Sequence, residues 1–474
     1  MPLTASEYRQ QRVAHWDSVA RDLDERRGLG GYYHQRLRQI YCNAIAPGQR
    51  VLELGCGQGD LLAALKPAAG VGIDFSAEMI SRAQKRHPDL RFIVADAHSP
   101  PIEETFDVIV LADLVNDLWD VQAVFENLRP LCTPRTRIVM NFFSRIWEMP
   151  MRVARRMRLA EPVLEQNWLA VEDVTDLLHL SGLEAIHHWE EILYPLRTPG
   201  VDALFNRFLV KLPLLRHAAL TNLLVARPQP PASSDNPSVS VIVPARNEAG
   251  NVPAIFQRTP TMGSATEIVF VEGHSSDDTF DAIERGIAAN PDRSCKLLRQ
   301  EGIGKGDAVR AGFAAASGDI LMILDADLTV PPEDLPRFYE ALRSRRAELI
   351  NGVRLVYPMQ RNSMRFLNLI GNKFFGRAFS WVLGQNIRDT LCGTKCLRRA
   401  DYDLIAANRA YFGEFDPFGD FDLLFGAARL NLRILDLPIR YQDRTYGTTN
   451  INRFSHGWLL LRMLAVAAMR LKFT

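Results

Sequence analysis

Cysteine is scarce and dispersed in this chain. Its six thiols stand at positions 42, 56, 132, 295, 392 and 396 of 474 residues, and only the last two are close neighbours. A structural zinc site needs a second such pair, and none is present. Disulfide-stapled secreted folds carry far denser cysteine, so reduced thiols in a cytoplasmic protein are the expectation. An excess of charge is also missing. Lys and Arg total 56 and Asp and Glu total 55, a formal net charge of +1. With no global basic field, nucleic acid is not an expected partner. The first ten residues are polar and lack the apolar core of a signal peptide. No run reaches the ~18 uninterrupted apolar residues of a transmembrane helix. The nearest approach is Trp458–Phe473, which Arg462, Arg470 and Lys472 interrupt. A basic, mostly apolar helix of this kind suits packing on its own domain or lying at a membrane surface.

What remains is ordinary globular composition, 47% hydrophobic and 23% charged, in a chain long enough for two or three domains. The clearest boundary is the Pro-, Ser- and Asn-rich stretch Arg227-Pro-Gln-Pro-Pro-Ala-Ser-Ser-Asp-Asn-Pro237. It separates a first domain over 1–227 from a second over 238–474, with 228–237 as linker. Upstream, apolar runs predict strands at Arg50–Leu54, Ala69–Ile73, Leu90–Val94, Phe106–Leu111, Arg137–Asn141, Leu183–Trp189 and Asn222–Ala226. Helical patterns lie between several of them, which implies a doubly wound α/β sheet of about seven strands. Downstream, strands are predicted at Ser238–Val243, Glu267–Val271, Cys295–Arg299, Asp319–Leu324, Glu348–Asn351 and Leu432–Tyr441. The halves share a layout but no motif, so they are two distinct α/β domains rather than a duplication.

In the first half, Val51-Leu-Glu-Leu-Gly-Cys-Gly-Gln-Gly-Asp60 is a strand running into a glycine turn and then a helical pattern. Glycine lets the backbone turn sharply and approach a ligand closely. Asp74 ends the next strand, where an acidic residue about 20 positions past the glycines can grip ribose hydroxyls. Asp96 ends the third, where a carboxylate can accept from an exocyclic amine. This set resembles the class I S-adenosylmethionine-dependent methyltransferases over roughly 30–227. The resemblance implies that Glu53, Gly55, Gly57 and Gly59 line the methionine side of S-adenosylmethionine, that Asp74 holds the ribose, and that Asp96 and Ala97 hold the adenine. A dinucleotide-binding dehydrogenase is the rival, but Asp60 stands where its third glycine belongs. No Asn/Asp-Pro-Pro-Tyr stretch follows the fourth strand, which speaks against amino-methylation of adenine or glutamine. His98, Asp113 and Asp117 lie near the expected mouth as surface or capping residues.

In the second half, four segments occur in order: Pro244-Ala-Arg-Asn-Glu248, Val271-Glu-Gly-His-Ser-Ser-Asp-Asp-Thr279, Gly304-Lys-Gly306 and Ile323-Leu-Asp-Ala-Asp327. Two carboxylates one residue apart, just past a buried strand, can turn together toward a hard divalent cation shared with a diphosphate. Together these resemble family 2 glycosyltransferases with the GT-A nucleotide-diphospho-sugar transferase fold, from Ser238 to about His456. By that resemblance Pro244, Asn247, Glu248, Glu272 and Asp277 surround the base of a UDP or GDP sugar. Lys305 approaches the phosphates, Ala326 lines the donor site, and Asp325 and Asp327 bind Mg²⁺ or Mn²⁺. The second-strand motif departs from the family's usual Asp-Asp-Gly-Ser, reading Glu272-Gly-His-Ser275. Later segments look most like the dolichyl-phosphate mannose synthase branch. That likeness implies a polyprenyl phosphate acceptor gripped by Arg354, Arg365, Arg444 and Thr448. Asn450 stands where that branch often has a basic residue. For a hydroxyl acceptor, Asp420 or Asp422 would be the base.

The expected protein is therefore a bifunctional enzyme, a methyltransferase fused to a glycosyltransferase, cytoplasmic and peripheral at the inner membrane face. Its methyl acceptor would be a small molecule or a glycan-related compound. The rival is a glycosyltransferase acting on a hydroxyl, with the N-terminal half a non-catalytic S-adenosylmethionine-binding or docking module.

Overall fold

The structure, a computed structural model, describes residues 4–22, 31–156, 164–230, 235–354, 356, 366–411, 420–442, 444, 446 and 453–473. Contacts divide the chain into two compact units, 1–229 with 473–474, and 230–472.

In the first unit the strands are β1 (Arg50–Leu54), β2 (Ala69–Asp74), β3 (Arg91–Val94), β4 (Phe106–Leu111), β5 (Cys132–Phe143), β6 (Leu183–Glu191) and β7 (Thr221–Pro228). They form one sheet in the order β3-β2-β1-β4-β5-β7-β6. β1 to β5 are parallel, whereas β7 runs antiparallel to both β5 and β6. Successive residues of a strand face opposite sides of the sheet. Leu52, Leu54, Ile109 and Leu111 thus enter one core, and Val51, Val108 and Val110 the other. Burial on both faces explains why these strands read as continuous apolar runs rather than alternating ones.

In the second unit the strands are β8 (Val239–Ala245), β9 (Thr266–Glu272), β10 (Ser294–Arg299), β11 (Ile320–Ile323), β12 (Leu349–Val353), β13 (Lys395–Arg398) and β14 (Ile434–Pro438). Their order is β10-β9-β8-β11-β13-β12-β14. β13 lies antiparallel between β11 and β12. It was not expected, because four residues flanked by a basic residue at each end carry no strand period of their own. Pairing on both sides makes it a strand. The GT-A-like and methyltransferase-like sheets are both α/β, as the patterning implied.

The carboxyl-terminal segment forms a helix over Arg453–Ala467, continued by a π-helical turn over Ala468–Lys472. Leu460, Met463 and Ala467 are buried, while Trp458, Leu461 and Met469 are exposed. It is thus packed on one face and apolar on part of the other. No helix among the described residues is long and apolar enough to cross a membrane.

One buried carboxylate laces the first strands of the second unit together. Glu267 on β9 accepts from the Ser240 hydroxyl of β8 at 2.5 Å and from the Ser317 amide, and pairs with Lys296 at 3.1 Å. Burial opposes its charge, but these partners outweigh burial and hold the carboxyl at about 2. A carboxyl depressed in the folded state stabilises it fully above its unfolded pKa of about 4.3, and the contribution fades as pH falls through the folded value. Chemical denaturation of Glu267→Gln against the parent should therefore show a stability gap at pH 7 that narrows below about pH 4 and closes near pH 2.

Candidate functional sites

In the first unit the residues expected to hold the cofactor lie at the carboxyl ends of β1, β2 and β3. Gly55, Gly57 and Gly59 adopt φ of 70°, 52° and 76°. This left-handed backbone strains any residue with a Cβ. At Gly59 a Cβ would also lie 2.6 Å from the Phe92 ring. Glu53 is buried, and its Oε2 has no hydrogen-bond partner. Burial, reinforced by Asp74 and Asp60, pushes its carboxyl well above the usual range. An unsatisfied buried acceptor is costly unless something donates to it, and the ammonium of a methionine moiety has the right chemistry. Asp74 accepts from the amides of Gly57 and Ser76, each at 2.9 Å, so it fastens the glycine turn to the end of β2. Asp96 accepts from His98 Nδ1 at 2.7 Å and pairs with Arg9 at 3.1 Å. His98 chiefly holds its carboxyl below the ordinary value, with Arg9 adding to the effect. Ala97 beside it is buried. The residues present fit S-adenosylmethionine.

Two features of this site go beyond the sequence reading, which places Asp113 and Asp117 near the mouth only as surface or capping residues. The helix Ala5–Asp22 reaches the same end of the sheet, with Arg9 on Asp96, Arg12 on Asp117 at 3.1 Å, and Asp17 accepting from Ser76. A polar cluster also surrounds Asp113, just past β4. Asp113 has φ of 53° and accepts from Tyr33 Oη and Asn141 Nδ2, each at 2.6 Å. Its neighbour Leu114 would lie 3.0 Å from a Cβ on Gly55, so this cluster flanks the glycine turn. Burial, then the Asp113 charge, drives the Tyr33 phenol well above its usual pKa.

In the second unit the site forms past β8, β9 and β11, which are parallel neighbours. The loops after β8 and β9 are tied to each other. Asn247 donates its amide to Ser275 and accepts from the Ser276 amide at 2.8 Å, while the Glu248 amide donates to Thr279. Asn247 itself has φ of 57°. Glu272 accepts from the Ser275 amide at 2.5 Å, and Asp277 caps the Thr279 amide at 3.1 Å. Pro244, the sixth residue of β8, sits opposite Val271. Asn247, Glu248, Glu272 and Asp277 thus line connected loops.

Past β11, Lys305 pairs with Asp325 at 2.6 Å and Arg444 with Asp327 at 2.6 Å. Burial opposes ionisation of Asp325, but Lys305 outweighs it and keeps the carboxyl below its ordinary value. Ala326 between the two carboxylates is buried. Burial pushes Glu248 up to about 7, aided by Asp327 and Asp277 and opposed by Arg444 and Asn251. Two hard oxygen donors one residue apart fit a divalent cation whose other positions are filled by diphosphate oxygens and water. No group of three or more His, Cys, Asp or Glu side chains suited to a metal occurs among the described residues.

Several expected residues take other places. Arg444, expected on the acceptor phosphate, instead bridges Asp327 and Glu248, the latter at 3.4 Å. Tyr446 accompanies it, with its ring against Gly250 and its hydroxyl 3.5 Å from Asp277. Arg354, part-buried, forms a bidentate pair with the buried Asp389, with contacts of 2.7 and 2.8 Å, so its guanidinium is already committed. Asp422 binds Arg409 at 2.7 Å, which commits it likewise. Asp420 begins the helix Asp420–Arg429, and its side chain lies outside the described residues, as do Arg365 and Thr448.

Comparison with known proteins agrees with this division. Residues 51–135 match the family model described as "Methyltransferase domain", and 240–405 match "Glycosyl transferase family 2". The chain carries a methyltransferase domain followed by a family 2 glycosyltransferase domain. An undecaprenyl-phosphate 4-deoxy-4-formamido-L-arabinose transferase of Klebsiella pneumoniae is 27% identical over 214 residues, 44% of this chain and 61% of that protein. The chain thus spans about three-fifths of the length of this curated relative. A SAM-dependent methyltransferase of Thermotoga maritima aligns with 45% of this chain and 99% of its own, at 14% identity and TM-score 0.36. Glucosyl-3-phosphoglycerate synthase of Mycobacterium tuberculosis, solved with Mn²⁺, UDP and its product, aligns with 50% of this chain and 80% of its own, at 22% identity and TM-score 0.37.

Gly393 supplies a local test. A Cβ there would collide with Lys305 Nζ and the Asp325 carboxylate. Gly393→Ala should lower sugar-donor turnover on the order of a hundredfold, as displacement of reacting groups by about an ångström can. Its melting temperature, followed by calorimetry, should stay within a few degrees of the parent, since the collision is with movable side-chain ends.

Proposed function

We propose that the chain is a bifunctional enzyme of glycan assembly. Its second unit transfers a sugar from a UDP or GDP sugar to an acceptor, and its first transfers a methyl group from S-adenosylmethionine to a small molecule or a glycan-related acceptor. The observation that carries the glycosyltransferase reading is the pair Asp325 and Asp327, each held by a cation, beside the laced loops that bear Asn247, Glu248, Glu272 and Asp277. A divalent cation on the two carboxylates supplies charge neutralisation to a diphosphate leaving group. Lys305 and Arg444 then contribute their charge to the phosphates, and Tyr446 covers the loop that contacts the base. Burial of the carboxylates' surroundings keeps these interactions strong by excluding water.

The acceptor in this reading is a polyprenyl phosphate. Support comes from the Klebsiella relative, whose name specifies undecaprenyl phosphate, and from the exposed Trp458, Leu461 and Met469 beside Arg462 and Arg470. Such a helix lets the enzyme work peripherally at the cytoplasmic membrane face. A phosphate nucleophile is already anionic and needs no strong base, which agrees with Asp422 being bound to Arg409. A hydroxyl acceptor would need that pair to open.

Purified protein should hydrolyse or transfer from a UDP or GDP sugar with Mn²⁺. Asp327→Asn should abolish that turnover with the fold intact, and EDTA should do the same to the parent; unchanged turnover in either case overturns the metal assignment. Calorimetry should show S-adenosylmethionine binding that Asp74→Ala weakens by about 1–3 kcal/mol, the loss of hydrogen bonds to the ribose and the turn. Binding of NAD in place of S-adenosylmethionine would overturn the methyltransferase reading.

A further inference from the structure

Most of the exposed aliphatic side chains of the first unit gather on two connections. One follows β5, where Ile146, Met149 and Val153 are 57%, 61% and 52% exposed. The other joins β6 to β7, where Leu204, Leu212 and Leu214 are 50%, 46% and 88% exposed. Exposed aliphatic groups concentrated in one region mark an interaction surface, whereas scattered ones do not.

The two connections meet at one end of the sheet. Phe143 at the end of β5 pairs with Thr221, and Thr221 pairs with Glu191 at the end of β6. The Trp147 indole of the first donates to the Ala218 carbonyl of the second at 2.9 Å. Because β1, β4 and β5 are parallel, this is also the end that carries the glycine turn.

Charge is equally concentrated. Residues 145–156 and 196–216 each hold four Lys or Arg and one acid, Glu148 and Asp202 respectively, in a chain whose net charge is only +1. Lys211 is used internally by buried Glu191. Arg145, Arg152, Arg197 and Arg216 are exposed. Aliphatic groups that project singly among arginines suit the acyl–headgroup boundary of an anionic bilayer, where the apolar tips sink and the guanidiniums meet lipid phosphates.

We propose that the methyltransferase unit docks on an anionic membrane through these two connections, so that its methyl acceptor is carried by a lipid. The lipid-borne acceptor rests on the methyltransferase reading above; the docking itself does not.

Flotation of the full chain with phosphatidylcholine vesicles, with and without 30% phosphatidylglycerol, tests it. Binding is expected to the anionic vesicles and to weaken in high salt. Combined Leu204→Ser, Leu212→Ser and Leu214→Ser should reduce partitioning by about tenfold or more, with S-adenosylmethionine affinity, measured by calorimetry, unchanged. Combined Trp458→Ser, Leu461→Ser and Met469→Ser reports the contribution of the carboxyl-terminal helix separately. Should the leucine variant lose cofactor binding, Arg197→Gln with Arg216→Gln takes its place and should flatten the salt dependence. The proposal is overturned if the parent ignores anionic vesicles, if it self-associates through this face instead, or if only the carboxyl-terminal variant loses binding. A parent that binds vesicles but not S-adenosylmethionine would sink the methyltransferase reading and leave the docking standing.

Discussion

Both sites depend on one constraint, the abrupt end of a buried parallel strand. Inside the sheet the strands pair with their neighbours on both sides and most side chains are apolar. One residue later the chain must place polar groups where neither condition holds. In the first unit the answer is the left-handed glycine turn after β1, pinned by Asp74. In the second it is the pair of carboxylates after β11, each neutralised by a cation from elsewhere in the chain. A carboxylate in that position is tolerable only with a partner. The same demand sets Lys305 and Arg444 on Asp325 and Asp327, the pair on which the proposed metal and diphosphate would sit.

The electrostatics of the two sites differ in kind. Around Glu53, burial outweighs the one backbone hydrogen bond, from Leu62, and one oxygen is left without a donor, which suits a cationic ligand group. Around Asp325, burial is outweighed by Lys305, and the carboxyl stays below its ordinary value. Among the described residues no ion pair is seen at Glu53, whereas Asp325 and Asp327 are each held by a cation. That contrast fits a sulfonium amino acid in one and an anionic diphosphate in the other.

The apolar and basic connections past β5 and β6 add a third element. Their exposed aliphatic groups lie outside the cores, and the two connections meet at the sheet end that carries the glycine turn. Together with the half-exposed helix Arg453–Ala467, they give each unit its own apolar surface flanked by arginine.

The division into two α/β units and the positions of most strands were legible in the sequence, because runs such as Val51–Leu54 and Ile320–Leu324 are apolar on both faces and end in Gly, Asp or Glu. Local chemistry also announced the glycine turn and the Asp-Ala-Asp pair, since neither turn type nor donor set depends on distant residues. Tertiary structure alone decided the rest. Lys395–Arg398 became a strand only by antiparallel pairing on both sides. Arg354 met Asp389, 35 positions away, in a bidentate pair. Arg444 met Asp327 across 117 positions and Glu248 across 196. A side chain's charge is written in the sequence, but its partner is fixed by which loops the sheet order brings to the same end.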